Sequence, residues 1–152
     1  MCNGPEIYGE MPTVVESDLW RVELNPNQQH LGRTFVGLRK HKNTLSALSG
    51  EEWLDFKRIH TVLEIGLRAA FDPNLLNTMF LMNDAVRDGQ VPHVHGHIIP
   101  RYCGQRQFNG RTFTDGAWPR QYNTGNDKKY IPTTEEILLI TEAIRKGINM
   151  NF

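Results

Sequence analysis

The chain has 152 residues, 39% of them hydrophobic and 22% charged, a one-domain length that buries a core without metal or disulfide staples. Three Trp, four Tyr and seven Phe exclude a disordered chain. Lys plus Arg and Asp plus Glu both number 17, so the formal charge is zero. That excludes a generic polyanion binder with a strongly basic surface, and nucleic acid is not an expected partner.

The two cysteines, Cys2 and Cys103, form no C-x-x-C pair, which argues against a disulfide framework or a Cys-rich zinc site. Free thiols suit a reducing compartment. The opening residues 1–10 hold acids and a proline and do not read as a signal peptide, and Cys2 breaks the myristoylation pattern. No window approaches the roughly 20 apolar residues of a membrane span. A cytoplasmic protein with no membrane partner is the expectation.

Residues 1–17 read as a loose lead-in. Residues 18–24 alternate, with Trp20, Val22 and Leu24 on one face, which predicts a strand. Asn25-Pro26-Asn27 is turn chemistry, and residues 33–38 predict a second strand, in a hairpin with the first. Ser49 and Glu52 form a capping box that opens a helix, with Trp53, Phe56, Leu63, Leu67 and Ala70 as its apolar stripe and Asp72-Pro73 as its stop. His60 lies on that stripe and reads as structural.

Residues 75–82 are mostly apolar and predict a central strand, followed by a polar loop over 83–92. Residues 93–100 predict a fourth strand. Residues 101–131 read as a long ordered surface loop, rich in aromatics, in which six Lys or Arg face two Asp. A second capping box, Thr133 to Glu136, opens a short helix to about Lys146. Strands, helix, strands and helix make an α+β domain with a mostly antiparallel sheet.

His93, His95 and His97 alternate along the fourth strand, so all three share one face. Three readings follow. Each His is a satisfied, half-buried structural residue. Or the imidazoles ligate zinc or iron, although no Asp or Glu lies between Asp88 and Asp115 to complete such a site. Or one neutral imidazole attacks a phosphoryl or nucleotidyl group, with its neighbours binding oxygens or helping the leaving group and the basic loop adding charge.

The run His93-Val-His-Gly-His-Ile-Ile99 resembles the signature of the histidine triad (HIT) family, His-φ-His-φ-His-φ-φ with φ apolar, apart from Gly96 in an apolar slot. Pro100-Arg101 resembles its continuation. Gly32 to His41 (GRTFVGLRKH) resembles a family strand, and LSGEEW the start of the family helix. The likeness spans roughly residues 18–102, and RTFTDGAWPRQY resembles an extension of the dinucleoside polyphosphate hydrolase-like branch. It implies a HIT-like α+β fold in one domain over 1–152, a mostly antiparallel sheet of about five strands with two helices.

The resemblance further implies that His95 is the nucleophile on an α-phosphate, that His97 binds a phosphate oxygen and helps the leaving group, and that His93 orients the others. Asn83 and Gln90 would contact phosphate, Asn25 the ribose, and Asn77 and Arg101 the substrate. The base would border either the Trp20, Val22 and Leu24 face or the turn beyond it. The implied substrate is a dinucleoside polyphosphate or a nucleoside phosphoramidate, cleaved through a nucleotidyl-histidine. No protein-bound metal is implied, only magnesium carried by the substrate, and a homodimer is the implied assembly. A nucleotide-binding adaptor with little turnover is the competing reading. The chain departs from the family at Arg33, where many members have His, and at Gly96, and its 83–93 loop looks longer than in the hydrolase branch. His30 and His41 read as surface residues.

Overall fold

The computed structural model describes residues 11–121 and 129–150. Tyr122, Gly125, Asp127 and Lys128 of the expected loop, and Cys2, lie outside the described residues. Chain order runs β1 (Thr13–Glu16), β2 (Trp20–Leu24), β3 (Thr34–Leu38), α1 (Gly50–Phe71), β4 (Leu75–Phe80), α2 (Asn83–Arg87), β5 (His95–Arg101), β6 (Gln105–Phe108), β7 (Arg111–Thr114) and α3 (Thr134–Asn149). Five strands form one antiparallel sheet in the order β1-β2-β3-β5-β4.

The period-2 pattern decides which sheet face is covered. Trp20, Val22 and Leu24 of β2, Val36 and Leu38 of β3 and Ile98 of β5 are fully buried. They join Ile59, Leu63 and Leu67 of α1 and Ile140 and Ile144 of α3 in one core. The Trp20 indole N–H donates to the Glu52 carbonyl oxygen at 2.8 Å, so the largest core side chain leaves no polar atom unpaired. Both capping boxes form as the sequence predicts, Ser49 with Glu52 and Thr133 with Glu136.

α1 and α3 touch through glycine. A Cβ on Gly147 would stand 2.6 Å from the Gly66 carbonyl oxygen. Alanine at 147 improves helix propensity by up to about 1 kcal/mol. That gain is outweighed, because a backbone oxygen cannot rotate away and the helices must separate. Gly147→Ala is expected to lower stability by about 1–3 kcal/mol. Gly50, with nothing within 4 Å of its built Cβ, is the control. Equal urea midpoints for the two alanine variants would remove this account of the helix contact.

Several sequence expectations need correction. The lead-in contains β1, which pairs with β2. β4 is an edge strand rather than a central one. Its apolar run has Phe80 packed on Trp53 and Phe56 of α1, with ring centroids 6.0 and 5.3 Å away, while Leu75 stays 38% exposed. The stripe on α1 is Ile59, Leu63, Gly66, Leu67 and Phe71, and Trp53 is exposed. The 83–92 loop begins with the short helix α2, so the described residues hold three α-helices where two were expected. The 101–131 loop contains the β6–β7 hairpin, turned by Asn109 and Gly110 at φ 47° and 74°. Such an Asn-Gly pair, with φ positive at both residues, matches the twist of the flanking strands. α3 runs on to Asn149.

Candidate active site

β5 lies inside the sheet and turns Gly96 and Ile98 toward the helices, so His95 and His97 project from the opposite face. Register sets their neighbours there: Gly37 of β3 lies opposite His95, while Phe35 of β3 and Met79 of β4 flank His97. The Phe35 ring meets His97 at a centroid distance of 4.7 Å, and the His95 and His97 rings lie 5.1 Å apart. Gly96 has a packing reason. A Cβ there would lie 3.0 Å from Val36 and 3.3 Å from Phe80, tighter than ordinary contact.

His93 precedes the strand, and both its main chain and its ring organise the site. Its carbonyl accepts from Nδ1–H of His95 at 2.9 Å. A carbonyl only accepts, so Nδ1 carries the proton and Nε2 of His95 keeps its lone pair. Nε2–H of His93 likewise donates to the Leu38 carbonyl at 2.6 Å. Nδ1 of the neutral His93 ring is then an acceptor, and His41 Nδ1 lies 3.1 Å away as its donor. His41 is exposed, as its surface reading implies, yet it is wired to the triad. Its place at the end of GRTFVGLRKH is the signal that could have marked it.

Burial pushes the His97 imidazole down to about 4, helped by the charges of His95 and Arg33 and opposed by the Leu81 backbone and Asp84. Burial, followed by the nearby rings of His41 and His95, also lowers His93, against the pull of its bond to Leu38. The sign for stability follows. The unfolded imidazole takes up a proton near pH 6.5, but folded His97 takes none until about pH 4. The unfolded state therefore binds more protons between these values, and stability falls as pH drops through that window. For His97 the loss is on the order of 2 kcal/mol by pH 4.5, after discounting for partial solvent contact. Urea midpoints at pH 7 and 4.5 for wild type and His97→Asn check this. A pH slope untouched by the substitution would rule His97 out as its source.

A cleft of about 520 Å³ adjoins His97, lined by Asn25, Pro26 and Asn27 of the β2–β3 turn, by Arg33, Phe35, Leu81, Asn83 and Asp84, and by Arg87, Lys129 and Ile131. That volume suits a small-molecule ligand. Of the residues singled out in the sequence, Asn25, Asn83 and His97 meet here. The Trp20, Val22 and Leu24 face does not border the cleft, because it packs on the helices; the turn beyond it does. Gln90 is exposed and does not line the cleft, its backbone N–H donating to the Ala85 carbonyl.

Asn77 and Arg101 stand outside this cleft and line a second one with Trp118 and Gln121. Arg101 is 2% exposed and every guanidinium nitrogen is engaged. Nε and Nη2 donate to the two Asp115 oxygens at 2.6 and 3.2 Å, Nη1 to Asn77 Oδ1 at 2.8 Å, and Nη2 also to the Arg120 carbonyl at 2.9 Å. His30 is buried, not at the surface, with Nδ1 3.8 Å from Asp115. This cluster pins the segment after β7 to the histidine face of the sheet. The signal missed was Asp115, an acid in a basic stretch.

No family profile matches the chain. An uncharacterised HIT-like protein of Methanocaldococcus jannaschii is 33% identical over 102 residues, which make up 64% of this chain and 76% of that relative. The chain belongs to the histidine triad family. Solved HIT structures share its fold. A hypothetical histidine triad nucleotide-binding protein from Sulfolobus tokodaii strain 7 superposes with a TM-score of 0.69 at 21% identity, over 93% of this chain and 85% of that one. The Plasmodium falciparum diadenosine triphosphate hydrolase, solved with cyclomarin A, superposes with a TM-score of 0.63 at 20% identity, over 100% of this chain and 88% of that one. Among the described residues of this HIT protein, no helix is long and apolar enough to cross a membrane.

Proposed function

We propose that this HIT protein is a nucleotidyl hydrolase or transferase acting on nucleoside phosphate derivatives, a dinucleoside polyphosphate or a nucleoside phosphoramidate. One observation carries the reading: the His93 carbonyl at 2.9 Å from His95 Nδ1 leaves Nε2 as a lone-pair nucleophile. That nitrogen attacks the α-phosphorus. The new N–P bond forms as the bond to the leaving group breaks, and the leaving group departs with the electron pair and collects a proton. Water then attacks the same phosphorus, the N–P bond breaks, and a nucleoside monophosphate leaves with His95 restored.

His97, uncharged at neutral pH, acts as a hydrogen-bonding group toward a phosphate oxygen, with Asn83 nearby, and Asn25 takes the ribose. Magnesium, where needed, arrives with the substrate. The working assembly is a homodimer in the cytoplasm. Among the described residues no strand pairs with the outer edge of β4, where Leu75 is 38% and the adjacent Trp53 40% exposed, and this supports pairing with a second copy, because an uncovered apolar strand edge is a template for association.

The test uses fluorogenic adenylates. The proposed function requires fluorophore release by the wild-type protein and, in acid-quenched samples, one nucleotidyl mass addition on His95. Nucleotide binding with no release would leave an adaptor. Stoichiometric zinc with chelator-sensitive activity would favour the metal reading instead.

A further inference from the structure

The cleft holds a cation that the chemistry above leaves unused. Arg33 immediately precedes β3, and continuing the β3–β5 register sets it opposite Ile99. It therefore lies one row from the Phe35–His97 pair on the same sheet face, within reach for a long side chain. It is 9% exposed, yet it lines the cleft together with His97, Asn25 and Asn27.

The base of that side chain is fixed. The Arg33 amide donates to the His30 carbonyl at 3.0 Å, and the Arg33 carbonyl accepts from the Asn25 amide at 2.9 Å and from Gln28 Nε2 at 2.8 Å. Gly32, at φ +81°, delivers the chain into this position, and a Cβ on it would strike Leu67 and Phe71 at 2.8 and 2.9 Å. A guanidinium has five N–H donors in a planar fork, a number that can serve protein contacts and an oxyanion together.

We propose that Arg33 is a ligand-binding residue of this cleft, its guanidinium donating to a non-bridging oxygen of the phosphoryl group held at His95 and His97. The inference rests on the function proposed above and adds the group that supplies fixed charge. His93 and His97 are held below the usual imidazole range, so at neutral pH they meet a phosphate as dipoles. Arg33 is cationic at every working pH. The other cleft cations are poorer candidates. The Arg87 side chain is 68% exposed. Lys129 is exposed, where salt screens its charge.

The experiment compares AMP with adenosine, and GMP with guanosine, on wild type, Arg33→Met and Arg33→Lys, by calorimetry and ligand-observed NMR. Arg33→Met is expected to weaken the monophosphates about tenfold or more, to change the nucleosides less than about threefold, and to flatten the salt dependence of monophosphate binding. Arg33→Lys, which keeps the charge but loses the fork, falls between. Unchanged monophosphate binding in Arg33→Met overturns the inference. So does an equal loss for phosphorylated and unphosphorylated ligands, which marks Arg33 as a structural prop.

If Arg33→Met gives no cooperative melt, Arg33→Lys decides: wild-type monophosphate affinity in it also overturns the inference. Failure of wild type both to bind a monophosphate and to turn over an adenylate sinks the proposed function and this role together. Wild-type binding matched by both variants sinks the role alone.

Discussion

Asp115→Ala is expected to lower the stability of this HIT protein by about 3–5 kcal/mol, the cost of stranding one partner of a buried ion pair. Asp115 has a fully buried carboxylate held by two nitrogens of a 3% exposed Arg101 side chain. Burial alone would raise the Asp115 pKa, but the Arg101 hydrogen bonds and the charges of His30 and Arg101 outweigh it and hold the group below its ordinary value. Removing the carboxylate leaves a guanidinium in the interior with only Asn77 and the Arg120 carbonyl. The amides of Tyr102 and Ala117 lose their acceptor as well.

A surface pair such as Arg68–Glu64 contributes only about 0.3–0.5 kcal/mol, so the two substitutions separate clearly. For a chain of this size the melting temperature should fall by roughly 10 °C or more. The double variant Arg101→Met with Asp115→Leu should recover most of the loss, because apolar replacement of a buried pair is often neutral. Urea melts of the single and double variants measure this. A single variant within about 1 kcal/mol of wild type would show that the cluster is solvated and unimportant to stability.

That cluster also marks where sequence reading reached its limit. The strands of the main sheet were legible wherever polar and apolar residues alternate, and both long helices wherever a capping box opens an apolar stripe. The partner of Arg101 was not legible, because its place beyond the triad says nothing of Asp115, which sits 14 residues on and meets it through the β6–β7 hairpin. The hairpin has a local sign, Asn109-Gly110 between QRQF and RTFT. β4 was set in the wrong place because an apolar run does not say whether its second face meets core or solvent. His41 and His93 lie 52 residues apart, and no local pattern joins them. The common face of His95 and His97, by contrast, was legible from the strand period alone, although His93 lies just before β5. The nitrogen that is free on His95 was not, because it depends on where the His93 carbonyl points.

That carbonyl gives the largest expected effect in the molecule. On the proposed route, His95→Asn should reduce fluorophore release from an adenylate about 10⁴-fold or more, since it removes the nucleophile that forms the covalent intermediate. In barrier terms this is about 5 kcal/mol or more, beyond what lost binding to a neutral side chain explains. The amide of asparagine fills part of the ring volume and keeps polar atoms on the sheet face, so stability should change by less than about 1 kcal/mol.

On the same route His97→Asn removes the group proposed to bind a phosphate oxygen, and the loss should be about 10²-fold, within the range for a single acid or hydrogen-bonding group. His41→Gln acts through His93 alone, and about tenfold is expected, the scale of an outlying orienting contact. The ordering His95, then His97, then His41 is itself the check. Single-turnover rates measure it, and acid-quenched mass spectra should show the nucleotidyl adduct in the His97 and His41 variants but none in His95→Asn. Retention of release within about tenfold by His95→Asn would mean that water attacks the phosphorus directly, and the covalent route would have to be abandoned.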